Sequence, residues 1–150
     1  MTFAENRKAR HEYETLEPFE GGLVLEGQEV KSIREGGAKI DSAYVRILRG
    51  ELWLVGAHIR PYSKASKLLE YHPDRDRKIL VRRKELEHLA GKTQERGLTL
   101  VPFSLYPHGR QIKLSFGLCR GRKAHDKREK LKARDLDRDM HRVLRGADVE

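Results

Sequence analysis

Asp74 and Asp76 form an acidic pair whose spacing could support metal chemistry. Two carboxylates this close together could hold Mg²⁺, as a metal-dependent nuclease requires. Basic residues alternate with them, however, in the stretch PDRDRK at positions 73–78. The stretch is therefore also typical of a charge-balanced loop, which is the interpretation we prefer.

Other catalytic chemistries have less support. The seven histidines, at positions 11, 58, 72, 88, 108, 125 and 141, do not show the His-x3-His spacing with a matching carboxylate that predicts a metal site. Gly36 and Gly37 are not followed by Gly-Lys-Ser/Thr, and Gly-x-Gly-x-x-Gly is absent, so a nucleotide site is not indicated. Ser, Cys and Thr residues lack the motif context of an activated nucleophile. We therefore expect no cofactor.

The positive signal is electrostatic. The chain carries 32 Lys and Arg against 23 Asp and Glu, a net charge of +9, and the cations concentrate at 7–10, at 75–84 and after 120. Such patches bind nucleic acid by neutralising phosphates and releasing counterions. Any one patch could be solvated surface, but three together predict a nucleic-acid partner. Aromatic residues make up only 7%, and we assign Trp53 to the core, so structured RNA is favoured over bare single strands.

The elements that must position these cations are mostly strands. Apolar residues alternate through 112–118, with 98–106 as the partner strand, and a hairpin is predicted between 44–48 and 51–55. Further strands are predicted at 10–16, 29–34 and 78–82, and a helix at 83–90 that stops at Gly91. This pattern predicts a mainly β chain that forms a small closed or nearly closed barrel, of which the oligonucleotide-binding barrel is one type.

The apolar pattern ends near Leu118. From 120 to 150 the chain holds eleven basic and seven acidic residues and few that could be buried. We therefore predict an RNA-binding barrel domain at 1–119 and a basic tail at 120–150 that is disordered when free. The far tail can form an amphipathic helix on a binding surface, with Met140, Val143 and Leu144 on its apolar side.

Neither a membrane span nor a signal peptide is evident in the 150 residues, so we expect a cytoplasmic protein. A single cysteine, Cys119, excludes an intramolecular disulfide and fits a reducing compartment.

Six short segments, in their order and spacing, resemble one known family. They are NRKARH at 6–11, EGG at 20–22, GQEVKSIR at 27–34, DS at 41–42, PDRDRK at 73–78 and GRKAHDKR at 121–128. The set is similar to the SsrA-binding proteins, also called small protein B or SmpB, which are partners of transfer-messenger RNA (tmRNA) in bacterial ribosome rescue.

This resemblance implies a function in trans-translation and no enzymatic activity. In the family, an oligonucleotide-binding-type barrel with a few short helices binds the tRNA-like domain of tmRNA, and the two together imitate a tRNA entering a stalled ribosome. The tail probes the decoding centre and the empty mRNA channel, where peptide tagging begins. The implied partners are tmRNA and the ribosome, with one protein monomer per RNA and no membrane.

The resemblance also assigns residues. The implied RNA contacts of the barrel are Asn6, Arg7, Lys8, Glu20, Lys31, Lys78, Leu80 and Arg82. A carboxylate such as Glu20 can accept hydrogen bonds from base amino groups or a ribose hydroxyl, although it could instead balance an arginine. Lys31 is expected to face outward, toward a phosphate or in a surface salt bridge. Arg82 stands where the family often has Asn or His, which leaves that contact open.

In the tail, His125 is implied to stack on a decoding-centre nucleotide. The implied ribosome contacts are Arg122, Lys123, His125, Asp126, Lys127, Arg128, Met140, Val143 and Leu144. Two alternatives remain: a generic structured-RNA or ribosome-associated oligonucleotide-binding protein, and the nuclease that uses Asp74 and Asp76.

Overall fold

The computed structural model describes residues 1–65 and 70–121, which form short helices between antiparallel strands. In chain order the elements are β1 (Ala4–Glu5), α1 (Ala9–Glu12), β2 (Tyr13–Leu23), α2 (Gly27–Arg34), β3 (Ala38–Lys39), β4 (Tyr44–Leu48), β5 (Glu51–Val55), β6 (His58–Ile59), β7 (Arg77–Leu80), α3 (Arg83–Lys92), β8 (Leu98–His108) and β9 (Gln111–Gly121).

Six of the strands close into a ring in the order β8, β4, β5, β7, β2, β9 and back to β8. The long strand β8 completes the ring because Leu100 pairs with Val45 of β4, whereas Ser104 and Leu105 pair with β1. Strands β3 and β6 form a separate two-stranded sheet. The predicted mainly β fold, a small barrel with short helices, is confirmed.

The barrel interior is filled by the apolar side of each alternating strand. Leu52 and Leu54 of β5 and Leu114 and Phe116 of β9 are almost completely buried in one core cluster. The predicted hairpins are confirmed: β4 pairs with β5, and β8 pairs with β9. Arg49 and Gly50 between β4 and β5 both have positive φ, which suits a tight hairpin turn.

Several sequence-based assignments of secondary structure are wrong or shifted; the strand predicted at 78–82, for example, is β7 at Arg77–Leu80. The segment predicted as a strand at 29–34 is helix α2, because Glu26 and Glu29 form a capping box at its start and Ile33 packs into the core. The strand predicted at 10–16 begins instead at Tyr13, after the single turn of α1. Helix α3 runs through Gly91 to Lys92, beyond its predicted end at residue 90.

Helices α2 and α3 each contribute a buried side chain to the barrel core. Strands β2 and β7 are antiparallel and pair near their C-terminal ends, Gly22 with Leu80 and Leu23 with Ile79. Helix α2 follows β2, and α3 follows β7. Ile33 of α2 and Leu89 of α3 are both fully buried in the core cluster.

Strand β9 continues through Arg120 and Gly121, two residues past the predicted boundary at 119, and pairs there with the start of β2. The rest of the predicted tail lies outside the described residues. None of the helices in the described part of the chain is long and apolar enough to cross a membrane.

Candidate nucleic-acid interface

An open cleft lies on the outer face of the barrel where β7, β2 and β9 run side by side. Its volume is about 730 Å³, and its walls include Glu20, Leu80, Arg82 and Lys113. The strand register explains why these residues meet. Leu80 pairs with Gly22, and Gly22 pairs with Lys113, so the three form one row across the strands.

Two adjacent glycines shape the floor of the cleft. Gly21 faces the core, where an added Cβ would collide with the side chain of Ile79. Gly22 faces outward, and its added Cβ would lie 4.0 Å from Leu80 Cβ, an ordinary contact. The first glycine therefore lets β2 and β7 approach closely, and the second leaves open space between Leu80 and Lys113.

The walls of the cleft combine apolar surface with charge. Leu80 is 52% exposed although it is a large hydrophobic residue, so it offers an apolar contact to a ligand. Arg82 precedes α3, and its backbone N–H donates to Glu85 Oε1 at 3.1 Å, which fixes the chain where the strand becomes a helix. An apolar side chain beside cations suits a nucleotide, whose base and phosphate need different partners.

Tyr106 stands beside the cleft, where it pairs with Lys113 across β8 and β9. Burial of the phenol, together with the adjacent Glu20 carboxylate, raises the pKa of Tyr106 to about 12. The phenol therefore keeps its proton at neutral pH. Neither Tyr106 nor Lys113 was among the predicted site residues. The alternation of β9 contained a signal for Lys113. Lys113 lies between the buried Ile112 and Leu114 on the same strand, so it faces the outer side of the sheet.

The predicted N-terminal contacts lie apart from the cleft. Asn6 is buried, and its Nδ2 donates to the Pro102 carbonyl at 3.0 Å, so its side chain holds β1 against β8. Arg7 and Lys8 are exposed just after it.

The register gives the separation of this segment from Glu20. Glu5 pairs with Ser104, Ser104 with Ser115 and Ser115 with Glu20, in one row across four strands. Glu5 and Glu20 are therefore three strand spacings apart, which is about 14 Å.

The two remaining predicted lysines lie on different elements. Lys31 is exposed on α2, with Nζ 5.5 Å from the centre of the Tyr62 ring, so it faces outward from a helix rather than from the predicted strand. Lys78 lies on the outer face of β7, two residues before Leu80, and its Nζ is 2.5 Å from Glu51 Oε2.

The structure thus brings Glu20, Leu80 and Arg82 together in the cleft and places Lys78 on the same outer face. The alternative that Glu20 balances an arginine is not seen: among the described residues, its neighbour is Tyr106. The tail residues Arg122, Lys123, His125, Asp126, Lys127, Arg128, Met140, Val143 and Leu144 lie outside the described residues.

Of the acidic pair, Asp74 has a side-chain partner in the described loop. His58 Nδ1 lies 2.8 Å from Asp74 Oδ1, so Asp74 is engaged with a histidine. The Asp76 carbonyl accepts a hydrogen bond from Arg75. Across residues 1–65 and 70–121, no group of three or more His, Cys, Asp or Glu side chains is arranged to hold a metal ion.

Comparison with known proteins assigns the chain to a family. The model of the family described as SmpB protein matches residues 3–146. SsrA-binding proteins of Thermosynechococcus vestitus and Carboxydothermus hydrogenoformans are each 46% identical over 142 residues, which is 95% of this chain and 93% and 95% of theirs. A chain in a solved structure described as "tmRNA-SmpB: a journey to the center of the bacterial ribosome" is 45% identical, with a TM-score of 0.64 over 78% of this chain and 82% of that one. The chain therefore belongs to the SmpB family of SsrA-binding proteins.

Proposed function

We propose that this protein binds the tRNA-like domain of tmRNA and delivers it to stalled ribosomes for trans-translation. The observation that carries the proposal is the outer-face cleft, where Leu80, Glu20 and Lys113 meet in a chain of the SsrA-binding family. Relatives under that name match almost the whole length of this chain. The description of one solved relative names both tmRNA and the bacterial ribosome.

The cleft offers a separate contact for each part of a nucleotide. The Glu20 carboxylate can accept hydrogen bonds from base amino groups or a ribose hydroxyl, and the buried Tyr106 phenol lies beside it. Lys113 and Arg82 supply positive charge for phosphates, and the exposed Leu80 packs on a base or sugar. Because few of these contacts read base edges, the cleft suits a folded RNA that is recognised by its shape.

The N-terminal cations extend this surface. Arg7 and Lys8 are exposed and follow Glu5, which stands at the far end of the row of residues that crosses four strands from Glu20. Because Glu5 and Glu20 are about 14 Å apart, contacts at both places suit one structured RNA rather than one nucleotide. We propose that they bind phosphates of the same RNA, whereas Asn6 acts by fixing the backbone that presents them.

The tail at 120–150 is proposed to act on the ribosome. Its cations, from Arg122 to Arg128, would contact ribosomal RNA, with His125 stacked on a decoding-centre nucleotide. The segment around Met140, Val143 and Leu144 would form a helix in the empty mRNA channel. The protein would thus be a binding partner rather than an enzyme, with one monomer per RNA, and it would work in the cytoplasm with the ribosomes.

Binding to two RNAs tests the proposal against the generic alternative. The affinity for the isolated tRNA-like domain should exceed that for poly-U of equal length by at least several fold, and it should weaken steeply with salt. Equal affinities for the two RNAs would favour a generic structured-RNA or ribosome-associated protein. Mg²⁺-dependent RNA cleavage that disappears in the Asp74→Asn, Asp76→Asn double variant would instead favour a nuclease.

A further inference from the structure

Trp53 does not lie in the core, contrary to the sequence-based assignment. In β5, Leu52 and Leu54 are completely or almost completely buried, and Trp53 between them faces the opposite side of the sheet. Trp53 is only partly buried there, and its Nε1 is buried without a hydrogen-bond partner among the described residues. A tryptophan on the outer face of a barrel offers the exposed part of its apolar ring to a ligand.

Two cations flank Trp53 on the neighbouring strands. Arg46 of β4 is its partner on one side, and Lys78 of β7 is its partner on the other. All three side chains belong to the outward positions of their strands. Lys78 is paired with Glu51, whereas Arg46 is exposed and makes no ion pair within residues 1–65 and 70–121. The row therefore presents an aromatic surface between positive charges.

This face is continuous with the cleft. Lys78 and Leu80 are alternate residues of β7, so they share its outer side, and Leu80 lines the cleft. Large hydrophobic residues are exposed along the same face, with Tyr44 at 47% and Leu48 at 40%. Exposed apolar surface beside unpaired positive charge complements a nucleotide better than it complements an apolar protein surface, on which Arg46 would be desolvated.

We propose that the outer face of β4, β5 and β7 is a second RNA subsite, in which Trp53 stacks on an unpaired base and Arg46 and Lys78 hold its flanking phosphates. The inference rests on the proposed function, because it extends the same RNA surface beyond the cleft. Folded RNAs expose unpaired bases in loops, and proteins bind such bases by aromatic stacking. Stacking tolerates any base, so this subsite adds affinity rather than sequence specificity.

Trp53 is the single tryptophan of the chain, so its fluorescence reports on this subsite alone. The full-length protein at fixed concentration is titrated with the tRNA-like domain, which carries a fluorophore at one end, and RNA anisotropy and Trp53 emission are recorded together. We expect Trp53 emission to change and to saturate at the same stoichiometry as the anisotropy.

Variants separate stacking from charge. Trp53→Leu should weaken RNA binding roughly 5- to 140-fold, the range expected for one stacked base, and Trp53→Phe should retain most of the affinity. Arg46→Ala should reduce the slope of log affinity against log salt by about 0.7–0.9, while Lys39→Ala on the separate β3–β6 sheet should not. Thermal unfolding of each variant checks that the barrel is intact.

The outcomes distinguish this inference from the proposed function. One outcome would overturn the second subsite and leave the cleft in place. In that outcome the RNA binds without changing Trp53 emission, and the wild type, Trp53→Phe and the folded Trp53→Leu variant all bind it with equal affinity. Failure of the wild-type protein to bind the tRNA-like domain at all would overturn both.

Discussion

Glu29 Oε2 lies 2.7 Å from Arg77 Nη2, and both side chains are completely buried. Arg75 adds a second cation, with its Nε donating to Oε2 at 3.0 Å, and the Glu26 amide donates to Oε1 at 2.8 Å. Arg77 Nη1 in turn donates to the Ala57 carbonyl at 2.8 Å. One carboxylate therefore ties the start of α2 to β7 and to the loop before it.

Removing the charge of Glu29 should destabilise the barrel strongly. Glu29→Gln leaves the buried Arg77 guanidinium without its counter-charge, and breaking a buried pair in this way typically costs about 3–5 kcal/mol. Urea unfolding measures the loss of free energy of unfolding. Glu87→Gln is the matched control, because its pair with Arg83 is exposed and should contribute less than about 1 kcal/mol. Equal losses for the two variants would contradict the role of the buried pair.

The same carboxylate should make the free energy of unfolding depend on pH in the acidic range. Burial favours a higher pKa for Glu29, but hydrogen bonds from Arg75, the Glu26 amide and Arg77 outweigh it and hold the pKa below the ordinary 4.5. The pKa of Glu29 is lower in the folded state than in the unfolded state. The contribution of the Glu29 carboxylate to the free energy of unfolding is therefore fully present above about pH 4.5 and is lost as the pH falls through the folded-state pKa. The difference in unfolding free energy between wild type and Glu29→Gln should thus be constant from pH 5.5 to 7.5 and narrow below 4.5. A difference that stays constant down to acid unfolding would refute this linkage.

The Glu29 cluster also shows why α2 could not be predicted from the sequence. Its apolar residues, Val30 and Ile33, are too few to distinguish a helix from a strand by period alone. The burial of Glu29 depends on Arg75 and Arg77, which lie 46 and 48 residues further along the chain. No local sequence pattern contains these partners. By contrast, β9 was predictable because four apolar residues alternate along it.

The site was predictable only in part, for a similar reason. Glu20 and Leu80 came from the family resemblance. The alternation of β9 shows only that Lys113 faces outward, and the pairing of β2, β8 and β9 is needed to bring Lys113 and Tyr106 to Glu20. Trp53 is a different case. The alternation with Leu52 and Leu54 already placed it on the outer face, but its residue type suggested the core.

The two glycines of β2 should respond differently to the same substitution. Gly21→Ala should destabilise the barrel, because its Cβ would collide with Ile79 between two paired strands. Gly22→Ala should fold normally, because its Cβ has an ordinary contact with Leu80, but it narrows the cleft and should weaken RNA binding. Thermal unfolding and RNA binding of both variants measure the two effects. A Gly22→Ala protein with full RNA affinity would argue against ligand contact at the cleft floor.

A chain that ends at Gly121 should separate the barrel from the tail. It retains all of β9, including the Gly121 pairing with Tyr13, so it should fold and bind the tRNA-like domain. It should fail to support peptide tagging on stalled ribosomes in a reconstituted translation reaction. Normal tagging by this protein would show that residues 122–150 are dispensable, and loss of folding would place the domain boundary later in the chain.

The affinity of a cleft variant for the tRNA-like domain tests the central claim most directly. The double variant Glu20→Ala, Leu80→Ala removes the acceptor and the apolar contact of the cleft without touching the core, since both residues are exposed. Glu14→Ala is the matched control, an exposed glutamate on the same strand. We predict that the double variant binds the tRNA-like domain at least about tenfold more weakly, a loss of about 1.4 kcal/mol, while Glu14→Ala binds like wild type. Equal affinity of the double variant and the wild type would contradict RNA binding at this cleft.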